Sequence, residues 1–145
     1  MDLPAIGSRC AVLIEQPRGS FIKRRADGSI DFVSPLPCPY NYGSVPGAMS
    51  GDGDPLDAVV LGRRLPAGTR VERVVVGVVW FVDAGQDDPK VIFSEGPLSP
   101  RERRGIERFF RVYALAKRAL ARARGLSGPT RFEGWRVPCG DAAHR

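Results

Sequence analysis

The sequence predicts an α+β fold that is mainly β: a five-stranded barrel with one long C-terminal amphipathic helix packed on it. Three observations point there. Short β-branched runs crowd the first two-thirds of the chain, turn residues separate them, and a capped helical stripe follows. The 145 residues are expected to form one domain, residues 1–145, and are enough to bury a core.

Arg9–Glu15 (RCAVLIE) is apolar and β-branched enough for a first strand. Ser20–Arg25 and Ile30–Val33 follow as two more, joined by the turn residues Ala26-Asp27-Gly28-Ser29 as a hairpin. Ser34–Gly53 is rich in Pro, Gly, Asn and Ser and reads as a long ordered loop. Asp57–Leu61 is a short strand. Thr69–Phe81 (TRVERVVVGVVWF) is the strongest strand signal, with a bulge or bend expected at Gly77. Lys90–Ser94 is the next strand. Ser99, Pro100 and Glu102 form a capping box with proline at the first helical position, so a helix is expected over Pro100–Arg124. Ile106, Phe109, Phe110, Tyr113, Ala116 and Leu120 recur at helical spacing as its buried face, and Gly125 stops it.

Composition excludes several classes. Apolar residues make up 43% of the chain, which fits a globular protein rather than a disordered one. Charged residues interrupt every apolar run before it reaches the ~20 residues a membrane helix needs, so no membrane association is expected. The first ten residues carry no basic-then-apolar leader pattern. Cys10, Cys38 and Cys139 are odd in number and lack a C-x-x-C pair, so no disulfide framework is expected and a reducing, cytoplasmic setting is. The net charge is +6, with nine Lys or Arg against two Glu between Arg101 and Arg124. That basic helix face reads as solvated surface, and nucleic acid is not the expected partner.

The acidic residues gather in the centre. Asp52-Gly53-Asp54-Pro55-Leu56-Asp57 places three carboxylates within six residues, in a Gly/Pro turn entering a strand. Such carboxylates repel one another unless a cation sits among them, and hard divalent cations prefer all-oxygen sites. An EF-hand is excluded, because Asp57 stands at its glycine place and Arg63 at its closing glutamate. A second cluster, Asp83 to Lys90, contains Asp83, Asp87, Asp88 and Lys90, and is expected to face the first across the barrel mouth. Carboxylates and a lysine around metal ions suit phosphoryl chemistry. Taken singly, Tyr113 reads as helix core, Lys23 as a solvated strand residue and the acidic turn as surface.

Taken in order, the motifs resemble the soluble family I inorganic pyrophosphatases. Ile14-Glu15-Gln16-Pro17 resembles that family's IEIP, Phe21-Ile22-Lys23 its strand lysine, and Tyr40-Asn41-Tyr42-Gly43 its N-Y-G loop. Asp52 to Asp57 matches D-G-D-P-x-D. Val76-Gly77-Val78 with Asp83, Asp88 and Lys90 matches V-G-V and D-x4-D-x-K. Arg108 to Tyr113 resembles x-F-F-x-x-Y and Glu133-Gly134-Trp135 resembles E-G-W, so the match runs over roughly residues 10 to 135. The fold it implies is an OB-like five-stranded β-barrel.

The resemblance implies magnesium-dependent hydrolysis of inorganic pyrophosphate to two phosphates by a metal-activated water. Asp52, Asp57, Asp83 and Asp88 would hold Mg2+, and Asp54 would be the general base. Lys23, Tyr42, Lys90 and Tyr113 would contact phosphate, and Glu15 would order the outer shell. Pyrophosphate is the partner implied, and a homo-oligomer is expected. Among this chain's departures from the family, Arg25 stands for a glutamate, the family's phosphate-binding arginine has no counterpart near Ser34–Pro37, Cys38 stands at the first loop tyrosine, and Ala114 replaces the lysine after the helical tyrosine. Lys23 and Arg25 are two residues apart on a predicted strand and so share a face, which would let Arg25 grip substrate in compensation. Two alternatives stay open: a hydrolase of another phosphoanhydride, and a weakly active phosphate- or RNA-binding relative.

Overall fold

The computed structural model describes residues 3–25, 27–33, 37–49 and 53–136. Its elements are β1 (Arg9–Gln16), β2 (Ile22–Arg24), β3 (Ile30–Val33), β4 (Asn41–Met49), β5 (Pro55–Val60), β6 (Arg70–Asp83), β7 (Gln86–Asp87), β8 (Lys90–Ser94), α1 (Pro100–Ala123) and β9 (Arg131–Arg136). Strands β1, β4, β5, β8 and β6 pair in that order, and β6 returns to pair with β1. The expected five-stranded barrel is therefore closed. Only β5 and β8 run parallel. β7 and β9 extend the sheet along β6, while β2 and β3 form a separate hairpin.

Alternation along the strands sorts the side chains into two layers. Val12, Ile14, Val45, Leu56, Ala58, Val60, Val75, Val91 and Phe93 come from all five barrel strands and fill the interior. Their neighbours of opposite parity, Tyr42, Val59 and Ile92, point outward and pack with Ile106, Phe110 and Ala114 of α1, as do Val79 and Phe81, which lie beyond the register shift at Gly77 that reverses the alternation of β6. The helix begins as its sequence dictates. The Ser99 hydroxyl accepts from the Glu102 amide at 3.1 Å, and the Glu102 carboxylate accepts from the Ser99 amide at 2.9 Å. It ends before Gly125, which adopts φ 70°.

Three expectations need correction, and one motif acquires a secondary structure. The described part of the expected loop Ser34–Gly53 is largely strand, β4. Its glycines mislead a composition argument, because Gly43 is there for packing: a Cβ would lie 1.8 Å from the Leu13 carbonyl oxygen of β1. Glu133-Gly134-Trp135, read only as a motif, lies within strand β9. The buried helix face is Ile106, Phe110 and Ala114, whereas Ala116 and Leu120 are exposed. From Leu115 to Ala123 only Lys117 and Ala121 are even half-buried, because an apolar stripe is buried only where a sheet lies beneath it. Finally, β2 is shorter than Ser20–Arg25 and ends at Arg24. The bend expected at Gly77 is present as a register shift between Val75 and Gly77, with the Trp135 ring seated where a Cβ would be.

Candidate active site

Parallel pairing of β5 with β8 sets Asp57 directly beside Lys90, and antiparallel pairing of β4 with β5 sets Ser44 on the other side of Asp57. Asp57 shares its parity with Val59, so its side chain leaves the barrel on the outer face, the one α1 covers. The acidic clusters thus meet on the outer face beside the helix, not across the barrel mouth. The reason is register: Leu56 and Ala58 take the interior, leaving Asp57 outside.

The centre of the site is Lys90. Its side chain is only 1% exposed, and its Nζ donates to Asp57 Oδ2 at 2.6 Å and to Asp88 Oδ2 at 2.7 Å. The Tyr42 hydroxyl donates to the same Asp57 oxygen at 3.1 Å. The rings of Tyr42, Phe81 and Tyr113 surround the ammonium, with centroids 5.7, 5.9 and 5.8 Å from Nζ. A buried ammonium without partners would be costly; here two carboxylates and three ring faces stabilise the charge. Burial works against the charged form of Lys90, but Asp57 and the neighbouring tyrosines and Asp88 hold its pKa well above the ordinary lysine value. Burial also pushes Asp57 up, yet Lys90, Lys23 and the Tyr42 hydroxyl hold it below the usual carboxylate range. Asp88 sits above that range, chiefly through burial, with Asp57 and Asp83 adding repulsion that Lys90 only partly offsets. Burial and the nearby Asp57 raise Tyr42 well above the ordinary tyrosine value, so it is a neutral donor.

The surrounding residues arrive from five other places. Lys23 of β2 sends its Nζ to 5.9 Å from the Tyr42 ring centroid. Glu15 of β1 accepts from the Ser44 hydroxyl at 3.1 Å, one strand behind Asp57. Tyr113 of α1 packs against Phe81, with centroids 5.3 Å apart and ring planes tilted by 59°. Asp83, at the end of β6, pairs with Lys117 Nζ at 3.2 Å. Asp54 is exposed in the turn that leads into β5, after Gly53 at φ 89°. Asp52 lies outside the described residues.

Arg25 is placed differently. It lies past the end of β2, where the hairpin's register shift puts the extra residue on β3. Arg25 is exposed, and its guanidinium donates to the Ile30 carbonyl oxygen at 3.0 Å. It also lines a cavity of about 70 Å³ with Leu13, Ile14, Ala67 and Gly68. Whether Arg25 also reaches substrate is decided by exchanging it for glutamate.

Sequence reasoning missed Lys117. Its signal was present: Lys117 follows Tyr113 by four residues and so shares its helical face. Its Nζ lies 5.7 Å from the Tyr113 ring centroid. Burial works to lower its pKa, and Tyr113 and Asp83 more than offset that, so the group stays charged.

Whether the site suits a divalent cation is a question of donors. Among the described residues no group of three or more His, Cys, Asp or Glu stands close enough to hold a metal, and Lys90 occupies the point between Asp57 and Asp88. The donor chemistry nonetheless fits a hard cation. Asp57, Asp88 and Asp83 present only carboxylate oxygens, and each side chain is 26–30% exposed while Lys90 is sealed beneath. Lys90 engages one oxygen of each partner, and each carboxylate has two.

This geometry agrees with the relatives. The family model for inorganic pyrophosphatase matches residues 12–129. An inorganic pyrophosphatase of Saccharolobus solfataricus is 38% identical over 89 residues, covering 56% of this chain and 52% of that protein. The chain spans about half the length of the first curated relatives it matches. Among solved structures, the inorganic pyrophosphatase of Thermus thermophilus superposes with a TM-score of 0.73 at 29% identity, covering 94% of this chain and 88% of the other. That of Helicobacter pylori gives 0.72 at 25% identity, covering 95% and 89%. Motif order and closed barrel agree with the match over most of the chain, which belongs to the family I inorganic pyrophosphatases.

Proposed function

We propose that the protein, acting as a single pyrophosphatase domain, hydrolyses inorganic pyrophosphate to two phosphates with Mg2+ as its metal. The observation that carries this reading is the sealed Lys90 ammonium bridging Asp57 and Asp88, ringed by Tyr42 and Tyr113, in a chain of this family. Asp57, Asp83 and Asp88, together with Asp52, would hold the metal. When bound, such a metal neutralises phosphate oxygens and lowers the pKa of water.

The chain's own residues do the rest. Asp54 takes the proton from the attacking water at its carboxylate, a role that the exposed position in the turn permits. The water oxygen bonds to one phosphorus, the bridging P–O bond breaks, and its electron pair leaves with the departing phosphate. Lys90 and Lys23 supply positive charge to the phosphate oxygens, while the neutral Tyr42 and Tyr113 hydroxyls donate hydrogen bonds. Glu15 orients this shell through Ser44. Buried Lys90 needs no reorganisation, since its partners already fix it.

Phosphate release from pyrophosphate, nucleoside triphosphates and polyphosphate, each with and without Mg2+, tests the reading. Magnesium-dependent release from pyrophosphate well above the other two supports it; preference for either competitor overturns it. A reducing cytoplasm is part of the same proposal, from the odd number of cysteines in the sequence. No helix among the described residues is long and apolar enough to cross a membrane. A homo-oligomer is part of the same proposal, and light scattering of the purified chain checks it: a monomeric mass at micromolar concentration rejects that part.

A further inference from the structure

We propose that Lys117 is an additional substrate-binding cation of this chain, held on Asp83 until a divalent cation takes that carboxylate and then turned to the phosphate. The inference rests on the pyrophosphatase reading and adds a residue to it. Lys117 and Lys90 flank the same ring: their Nζ atoms lie 5.7 and 5.8 Å from the Tyr113 centroid. The second carboxylate cluster is thus bounded by two ammonium groups rather than one.

Their surroundings differ in a way that assigns different work. Lys90 is 1% exposed and bonded to two carboxylates, so it is fixed. Lys117 is 29% exposed, makes a single longer contact of 3.2 Å to Asp83, and carries a four-carbon stem that can swing. The position directly after Tyr113 offers no charge, because Ala114 is buried against the barrel. One turn further along, Lys117 returns to the face of Tyr113. In the metal-free protein Lys90 pairs with Asp57 and Asp88, and Lys117 with Asp83. A divalent cation bound by those carboxylates releases the mobile ammonium, and an incoming pyrophosphate anion supplies its next partner. The competing assignment is a static salt bridge that pins α1 to the end of β6.

The two assignments predict opposite effects on metal. In the full chain, Lys117→Met should bind Mn2+ or Mg2+ as tightly as wild type or tighter, by calorimetry without substrate, because a competing cation is gone. The same variant should raise the KM for pyrophosphate about tenfold, the weight of one charge-assisted hydrogen bond, with kcat changed far less. Lys117→Arg should restore KM. Lys117→Gln, which keeps a polar head, repeats the measurement if the methionine variant folds poorly. Weaker metal binding in the variants, or an unchanged KM, overturns the proposal in favour of the static bridge. Affinity for methylenediphosphonate with Mg2+ present separates this from the parent reading. If the wild-type chain releases no phosphate from pyrophosphate, the hydrolase assignment fails, yet loss of analogue affinity in Lys117→Met still upholds Lys117 and unchanged affinity rejects it.

Discussion

The two faces of β5 and β8 differ sharply although they belong to the same eleven residues. Inward, Leu56, Ala58, Val60, Val91 and Phe93 are fully buried and wholly apolar. Outward, Asp57 and Lys90 sit side by side in a buried ionic cluster. The contrast teaches how the site is held. A strand has period two, so a tightly packed interior leaves no freedom to the intervening side chains. The core specifies where the carboxylate and the ammonium stand; the ionic contacts then need only finish the alignment.

If the outer face is the working face, the largest effect should come from Asp54, which lies outside the core and outside the Lys90 cluster. Asp54→Asn is expected to lower kcat by roughly 10²–10⁴-fold, the range for a general base, with thermal stability unchanged. Unaltered kcat removes Asp54 from the mechanism.

Exchanging one residue on each face sharpens the comparison. Phe93→Ala should cost about 3–5 kcal/mol of unfolding free energy through cavity formation, while the folded fraction keeps its kcat. Lys90→Met should do the reverse to activity, lowering kcat by about 10²–10³ as one charge-stabilising donor is lost. It also leaves Asp57 and Asp88 facing each other, so its stability should respond more to added Mg2+ than that of wild type. Denaturant melts with and without Mg2+ check this, and an equal Mg2+ response in both proteins breaks the assignment of these carboxylates to metal.

A smaller effect is expected where the outer face meets β9. Gly77→Ala places a methyl 2.6 Å from the Trp135 ring, which should cost about 1–3 kcal/mol of overpacking. A wild-type melting temperature in that variant means that Trp135 moves freely. The smallest effect belongs to the hairpin. Arg25→Glu should change kcat/KM by less than about fivefold, the weight of an exposed charge. A larger fall returns Arg25 to the substrate site.

Much was legible without coordinates because it depends on neighbours in sequence. The capping box at Ser99, the hairpin turn at Asp27-Gly28 and the strand Lys90–Ser94 follow from spacing alone. The gathering of Asp57, Asp88, Lys90, Tyr42 and Tyr113 was implied only by the family resemblance, and strand register brings it about. Strand β4 was not legible, because its glycine and proline weaken every local strand signal. What admits Gly43 there is the Leu13 backbone, thirty residues away in sequence.

The sequence by itself determined the helix with its caps, four of the five barrel strands and the set of ionisable groups, since each rests on local spacing or on side-chain chemistry. Only the tertiary structure decided that the cluster lies on the outer face, that Arg25 turns back into its own hairpin, that Ala116 and Leu120 face solvent, and that Lys117 joins Asp83. These depend on register between distant strands and on where the sheet ends beneath the helix, and a single bulge, as at Gly77 in β6, reverses which face the later side chains take.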